Sequence, residues 1–196
     1  MRMTNVVRSG IALVLLTASA GCAAKHGAQV TFHAPTMDFS LVRTVAVMPF
    51  ANMSTTQTAD EPVRDVFMTM LQATGQIYVL PMGEVQRGLS RVEMPNPTAP
   101  SDQEVVALSK ALGCDAVITG SVLEYGEARS GSASASYISV SVQMLEAGTG
   151  KLVWSAQSTK GGISAADRMF GGGGQPMNVV TADAVSQLLD ELFATK

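Results

Sequence analysis

Few residues in this chain combine type and spacing into anything that could react. The two histidines, His26 and His33, stand near the N-terminus, outside the segments whose periodicity marks a folded domain. Neither a Ser-His-Asp device nor a histidine metal site can therefore be built in that domain from this chain alone, and both rings are expected to be solvated. Gly150-Lys151 has the ending of a phosphate loop, but Leu145 stands where the first glycine belongs and Leu152 where a Ser or Thr would hold magnesium. Asp115 and Glu124 flank one expected strand and lie ~30 Å apart when it is extended, too far to share a proton. Cys114 sits in the apolar run Leu112 to Ile118, which suits a buried, inert thiol better than a nucleophile. The sole tryptophan, Trp154, falls in an expected hairpin, where sheet packing accounts for it better than a sugar platform. No catalytic constellation, metal site or cofactor site emerges, and the chain reads as non-enzymatic.

The remaining cysteine, Cys22, has a different setting. Arg2 and Arg8 precede an uncharged run from Ile11 to Gly21, too short to span a bilayer and ending in small residues. That is the pattern of an export signal. Ala20-Gly21-Cys22 resembles a bacterial lipobox, at which the thiol receives diacylglycerol, residues 1–21 are removed and the new amino terminus is acylated. Each acyl chain contributes ~0.8 kcal/mol per buried CH2, so several would hold the protein on a membrane essentially permanently. Ala18-Ser19-Ala20 also fits ordinary signal cleavage after Ala20, with a soluble product. A cysteine placed directly after the signal favours lipidation.

Among 196 residues, 13 Lys and Arg face 16 Asp and Glu, for a net charge of −3. Loss of Arg2 and Arg8 takes the mature chain to −5. Its cations are scattered, so it has no basic face and nucleic acid is excluded as a partner. Residues 22–196 suffice for one domain with a sizeable core. With Cys22 acylated, Cys114 has no disulfide partner.

Residues 22–43 show no sustained pattern and read as a tether. The domain is expected over 44–196. Thr44 to Phe50 has strand length. After it, Val63, Val66, Phe67, Met70 and Leu71 repeat at helical spacing from Asp60 onward. Gln76 to Met82 is expected as a second strand, followed by a short helix over 84–92 and a proline-rich loop to Pro100. Ser101-Asp102-Gln103-Glu104 is a capping box, and Gly113 is placed to stop the helix it opens. Asp115 to Glu124 suits a central strand, followed by a Gly, Ser and Ala-rich turn over 126–136. From Ile138 to Met144, apolar and polar residues alternate, so Ser139, Ser141 and Gln143 are expected on one polar face. Ala147 to Gly150 turns the chain into a strand from Lys151 to Gln157, and a last amphipathic helix carries Val180, Ala184, Leu188, Leu189 and Leu192. The order β-α-β-α-α-β-β-β-α predicts an α/β fold, a three-layer sandwich with a mixed sheet flanked by helices.

Three segments carry a family resemblance: Val45 to Phe50 opening the domain, Leu112 to Gly120 in its middle, and Gly148 to Trp154 in the hairpin. Together they resemble the CsgG-like envelope lipoproteins, a group that includes PelC-like export lipoproteins and LpoB-like activators of penicillin-binding proteins, across residues 44–196. Membership implies a lipid-anchored protein on the periplasmic face of the outer membrane, because Ala23 is not the aspartate that retains many lipoproteins on the inner membrane. It further implies a homo-oligomer with envelope or secretion proteins as partners. The two places where the curli pore inserts membrane hairpins hold only residues 127–136 and 164–175, too short for paired spanning strands. The small PelC-like members fit the size best. Activation of a peptidoglycan synthase and a monomeric ligand-binding module are the alternatives. Ser139, Ser141 and Gln143 are candidate contact residues, either solvent-exposed or joined across a wet subunit interface. Phe170, beside the four glycines Gly171 to Gly174, is a second candidate. Most of the twelve methionines read as core filling.

Overall fold

The computed structural model describes residues 31–131, 133–163 and 174–194. Seven strands form one sheet: β1 (Thr31–His33), β2 (Thr44–Val47), β3 (Ala51–Asn52), β4 (Tyr78–Val79), β5 (Ala116–Ser130), β6 (Ala133–Glu146) and β7 (Leu152–Gly161). Among the described residues, four helices pack on it: α1 (Asp60–Ala73), α2 (Met82–Arg91), α3 (Asp102–Leu112) and α4 (Met177–Phe193). The spatial order is β1-β7-β6-β5-β2-β4, with β3 added beside β5. Pairing is parallel among β4, β2, β5 and β3, and antiparallel from β5 through β6 and β7 to β1. The mixed sheet flanked by helices is thus the expected fold class.

Strand periodicity assigns the two faces. Val45, Val47, Ile118, Val140, Val142, Met144 and Trp154 point to one side, where they bury against Phe67 and Leu71 of α1 and Leu188 of α4. Ala46, Met48 and Val117 point to the other, beneath Val85 and Leu89 of α2 and Leu108 of α3. Trp154 has no exposed surface; burying a side chain of this kind contributes several kcal/mol, about 3 on the transfer scale. The segments that carried the resemblance meet in this core. Phe50 lies over Gly120, where a Cβ would fall 2.7 Å from its ring, and stacks at a tilt on Phe67 with centroids 5.9 Å apart.

Several local expectations hold at the level of atoms. The Ser101 hydroxyl accepts from the Glu104 amide while the Glu104 carboxylate accepts from the Ser101 amide at 2.7 Å. Gly113 ends α3 with φ +68°, the left-handed conformation glycine adopts without strain. Cys114 is buried, and desolvation pushes its thiol above the ordinary range.

Three boundaries need correction. The stretch expected as tether down to residue 43 contains β1, held on β7 through Phe32 opposite Ser155, and a 3-10 turn at Phe39–Leu41. The ordered fold therefore starts no later than Thr31. His33 is not simply solvated either, since it packs edge-on against Phe39 and Trp154. The supposed turn over 126–136 is strand: β5 and β6 continue to a tight reversal at Gly131, with Gly126 opposite Tyr137 and the tyrosine ring lying over it. Backbone ladder bonds hold this stretch although its side chains are small. Beyond the end of β7, four residue pairs from Glu127 and Ser136 to Ser130 and Ala133 continue as a two-stranded ribbon, on which Gly174 packs against Ala135 and donates to the Ser134 carbonyl at 2.8 Å. A membrane strand needs about 9–11 residues. Finally, β4 is only two residues long, because α2 begins at Met82 directly after Pro81.

Candidate functional site

The helices on the second face stop short. They cover β2 and the first residues of β5, and among the described residues no helix lies over that face of β5, β6 and β7 further on. The register lays out what is left. Phe32 of β1 stands opposite Ser155, Ser155 opposite Gln143, and Gln143 opposite Thr119, one row across four strands. The next row is Gln157, Ser141 and Ser121, and the third is Thr159, Ser139 and Glu124. Apart from Phe32 and Glu124, every member is a neutral hydroxyl or amide. On the opposite side of β7, the Ser158 hydroxyl donates to Gln187 of α4 at 2.8 Å, so α4 holds the sheet from behind.

The sequence-predicted contact residues separate by depth. Gln143 is exposed and Ser141 half-buried. Ser139 is only 4% exposed, which corrects the expectation of a uniformly solvated serine face. Its hydroxyl lies 2.9 Å from that of Thr159 and accepts from the Gln157 amide at 3.4 Å. It is thus spent within the protein, organising its longer neighbours. Cys22 and Phe170 lie outside the described residues. Sequence reasoning missed Phe32, which sits 44% exposed at the end of the first row, because it was assigned to a tether. The alternation of Ser155, Gln157 and Thr159 along β7 would have completed the face.

One edge of the face folds into a cleft of about 350 Å³ lined by Thr98, Asp102, Thr119, Ser121, Ser141 and Gln143. Its wall is the N-terminus of α3 with its capping box, pressed against the β6–β7 turn at Gly150. Among the described residues, no histidine or lysine stands beside these hydroxyls in the register, and what they offer there is hydrogen bonding. Among the described residues, no three His, Cys, Asp or Glu side chains converge to hold a metal.

Two charged groups have structural employment that the sequence did not reveal. Asp115 accepts from the backbone amides of Arg43 and Thr44 at 2.9 and 2.8 Å, fastening the start of β2 to the start of β5. Arg64 is buried on α1 and donates from Nη2 to the Val47 carbonyl at 2.7 Å, while its Nε finds no partner among the described residues. Desolvation pulls its pKa down, with Asp65 opposing.

Comparisons with known proteins agree with this architecture. The family described as putative lipoprotein GNA1162-like matches residues 36–195, and the chain belongs to that family. The PelC dodecamer of Paraburkholderia phytofirmans superposes with a TM-score of 0.57 at 16% identity, covering 84% of this chain and 98% of that one. Lipoprotein GNA1162 from Neisseria meningitidis gives 0.57 at 18% identity, covering 78% and 99%. The LpoB C-terminal domain from Salmonella enterica gives 0.48 at 11% identity, over 64% of this chain and 86% of that one, too slight a likeness to carry an argument. At such identities these structures share the fold. No curated protein matches the chain.

Proposed function

We propose that this member of the GNA1162-like lipoprotein family is a non-enzymatic accessory factor of the cell envelope. It is anchored through Cys22 on the periplasmic face of the outer membrane, and its copies assemble side by side in an export or envelope-assembly system. The observation that carries the reading is the sheet face over which no helix lies among the described residues, with its neutral hydroxyls and amides set out in register. Small hydroxyl side chains lose little rotamer freedom on contact and let a second surface approach closely, with water completing the hydrogen bonds. The absence of charge clusters on the face removes the like-charge repulsion that would oppose contact between identical copies. The fold shared with a dodecameric protein is consistent with this use.

Anchoring supplies the rest of the energetics. Residues 23–30 can reach at most about 30 Å, so every copy would occupy one thin layer. Confinement of that kind raises effective concentration and lets modest lateral contacts assemble a ring.

Sedimentation of the lipidated protein in mild detergent across a concentration range tests the proposal. Higher-order species should form and weaken on dilution, and Ser141→Arg should abolish them while leaving the monomer folded. A strict monomer at every concentration would rule out assembly through this face. Fractionation of cells tests the anchor: wild type should pellet with outer membranes and Cys22→Ser should move to the soluble periplasmic fraction, whereas identical soluble behaviour of both would establish cleavage after Ala20.

A further inference from the structure

A second cavity lies on the opposite side of the sheet from the polar face. It has about 280 Å³ of space at the end where β2 begins and α4 finishes. Its lining is graded. Val42, Met144 and Leu192 form a buried floor, Phe39, Ile77 and Phe193 form half-buried apolar walls, and Ser40, Arg43 and Gln76 form an exposed polar rim. Among the described residues, Arg43 is the one charged residue of the lining, and it makes no ion pair with a carboxylate.

We infer that this cavity binds a single medium-length acyl chain ending in an anionic group. Beyond the polar rim, the apolar floor and walls would take up the chain, since apolar surface leaving water there meets the side chains of Val42, Met144, Leu192, Phe39, Ile77 and Phe193. At ~30 Å³ per water-sized unit, the volume accommodates about nine such units, a chain of eight to ten carbons and not a drug-sized ligand. The guanidinium of Arg43 would meet the terminal anion, a planar fork suited to a carboxylate or a phosphate. Both chemistries share this end, and the choice of probe separates a free fatty acid from a lipid phosphate. This inference is independent of assembly through the polar face.

The test uses the mature chain with Cys22→Ser, free of detergent, and follows the methyl resonance of Met144 on the cavity floor by NMR. Decanoate and decyl phosphate are titrated below their micelle concentrations, with decanol as the neutral control. Binding should be saturable, with octanoate about fifteenfold weaker than decanoate, since each methylene at ~0.8 kcal/mol is worth about fourfold. Arg43→Gln should weaken the anionic probes about tenfold and leave decanol unchanged. Ile77→Trp, which fills the cavity, should remove binding of all three while circular dichroism reports a folded chain. Tighter binding of decyl phosphate would assign a lipid phosphate, and of decanoate a free acid. An unmoved Met144 resonance with both anions, or equal affinities in wild type and Arg43→Gln, would overturn the proposal.

Discussion

Replacing Gly150 by alanine isolates what holds the β6–β7 turn against α3 and so what shapes the polar cleft. Two effects add at this position. The backbone has φ +73°, where an L side chain costs ~1–2 kcal/mol. A Cβ would also fall against the carbonyl oxygen of Asp102 and 2.5 Å from its Cα, where real Cβ contacts essentially never come closer than 3.0 Å. The obstacle is backbone at the start of a capped helix, so it cannot swing aside like a flexible side chain, and overpacking of this kind costs ~1–3 kcal/mol. The total is ~2–5 kcal/mol, a fall in Tm of about 4–20 °C for a domain of this size. Two other glycines separate the contributions. Gly113 has φ +68° but open space around its Cβ position, so Gly113→Ala should lose only the backbone share. Gly148 has open space and no positive φ, so Gly148→Ala should be neutral or up to ~1 kcal/mol more stable. Urea unfolding of the three variants beside wild type measures the series. If Gly150→Ala lies within about 0.5 kcal/mol of Gly113→Ala, the turn is not pressed against α3 and the cleft has no fixed wall.

Ser101→Ala should cost about 1 kcal/mol by removing the cap of α3, read from the same unfolding curves. Glu104 adds a pH dependence: its hydrogen bonds from Ser101 hold its carboxyl below the usual range, so the stabilisation is present above the unfolded-state pKa and disappears as pH falls through the folded value. The deficit of Glu104→Gln should accordingly be visible at pH 7 and vanish in acid, and a deficit that persists unchanged at pH 2 would contradict this origin. Cys114, buried with its thiol pushed up, should resist iodoacetamide at pH 8 in the native protein and react fully in urea; rapid native labelling would show that the α3–β5 junction opens readily.

The parts of the fold that were legible in sequence are those whose signal is local. Ser101 and Glu104 three residues apart, Gly113 after the last apolar position of α3, and Val63, Phe67 and Leu71 on one helical stripe each encode their own conformation. The parts that were not legible depend on a distant partner. Thr31 to His33 is strand only because the edge of β7 accepts it. Gly126 sits in β5 because Tyr137 covers it from the neighbouring strand. Alternation placed Ser139 on the correct face but could not give its depth, which Thr159 and Gln157 set by leaning over it. Arg64 carries no sequence mark of burial, since its carbonyl partner, Val47, lies seventeen residues back. The acyl-sized cavity gathers residues from four separate segments, and no spacing rule connects them.

The short hold of β1 on β7 has a mechanical consequence. In a chain held at Cys22, as proposed, a pull between membrane and domain reaches β1 before it reaches β2 along the chain. Among the described residues, three residue pairs with β7, the Ala34 amide donating to the Val153 carbonyl, the His33 ring against Trp154 and one hydroxyl contact to Glu191 resist it there. Two residues further in from Val42, the chain is gripped much more firmly, because Asp115 holds the amides of Arg43 and Thr44 and β2 lies in the middle of the sheet. Under load the edge strand β1 would therefore yield before β2 does. Freeing residues 31–33 would release about 10 Å of chain, which would let a domain anchored as proposed shift away from the bilayer and settle back when the tension drops.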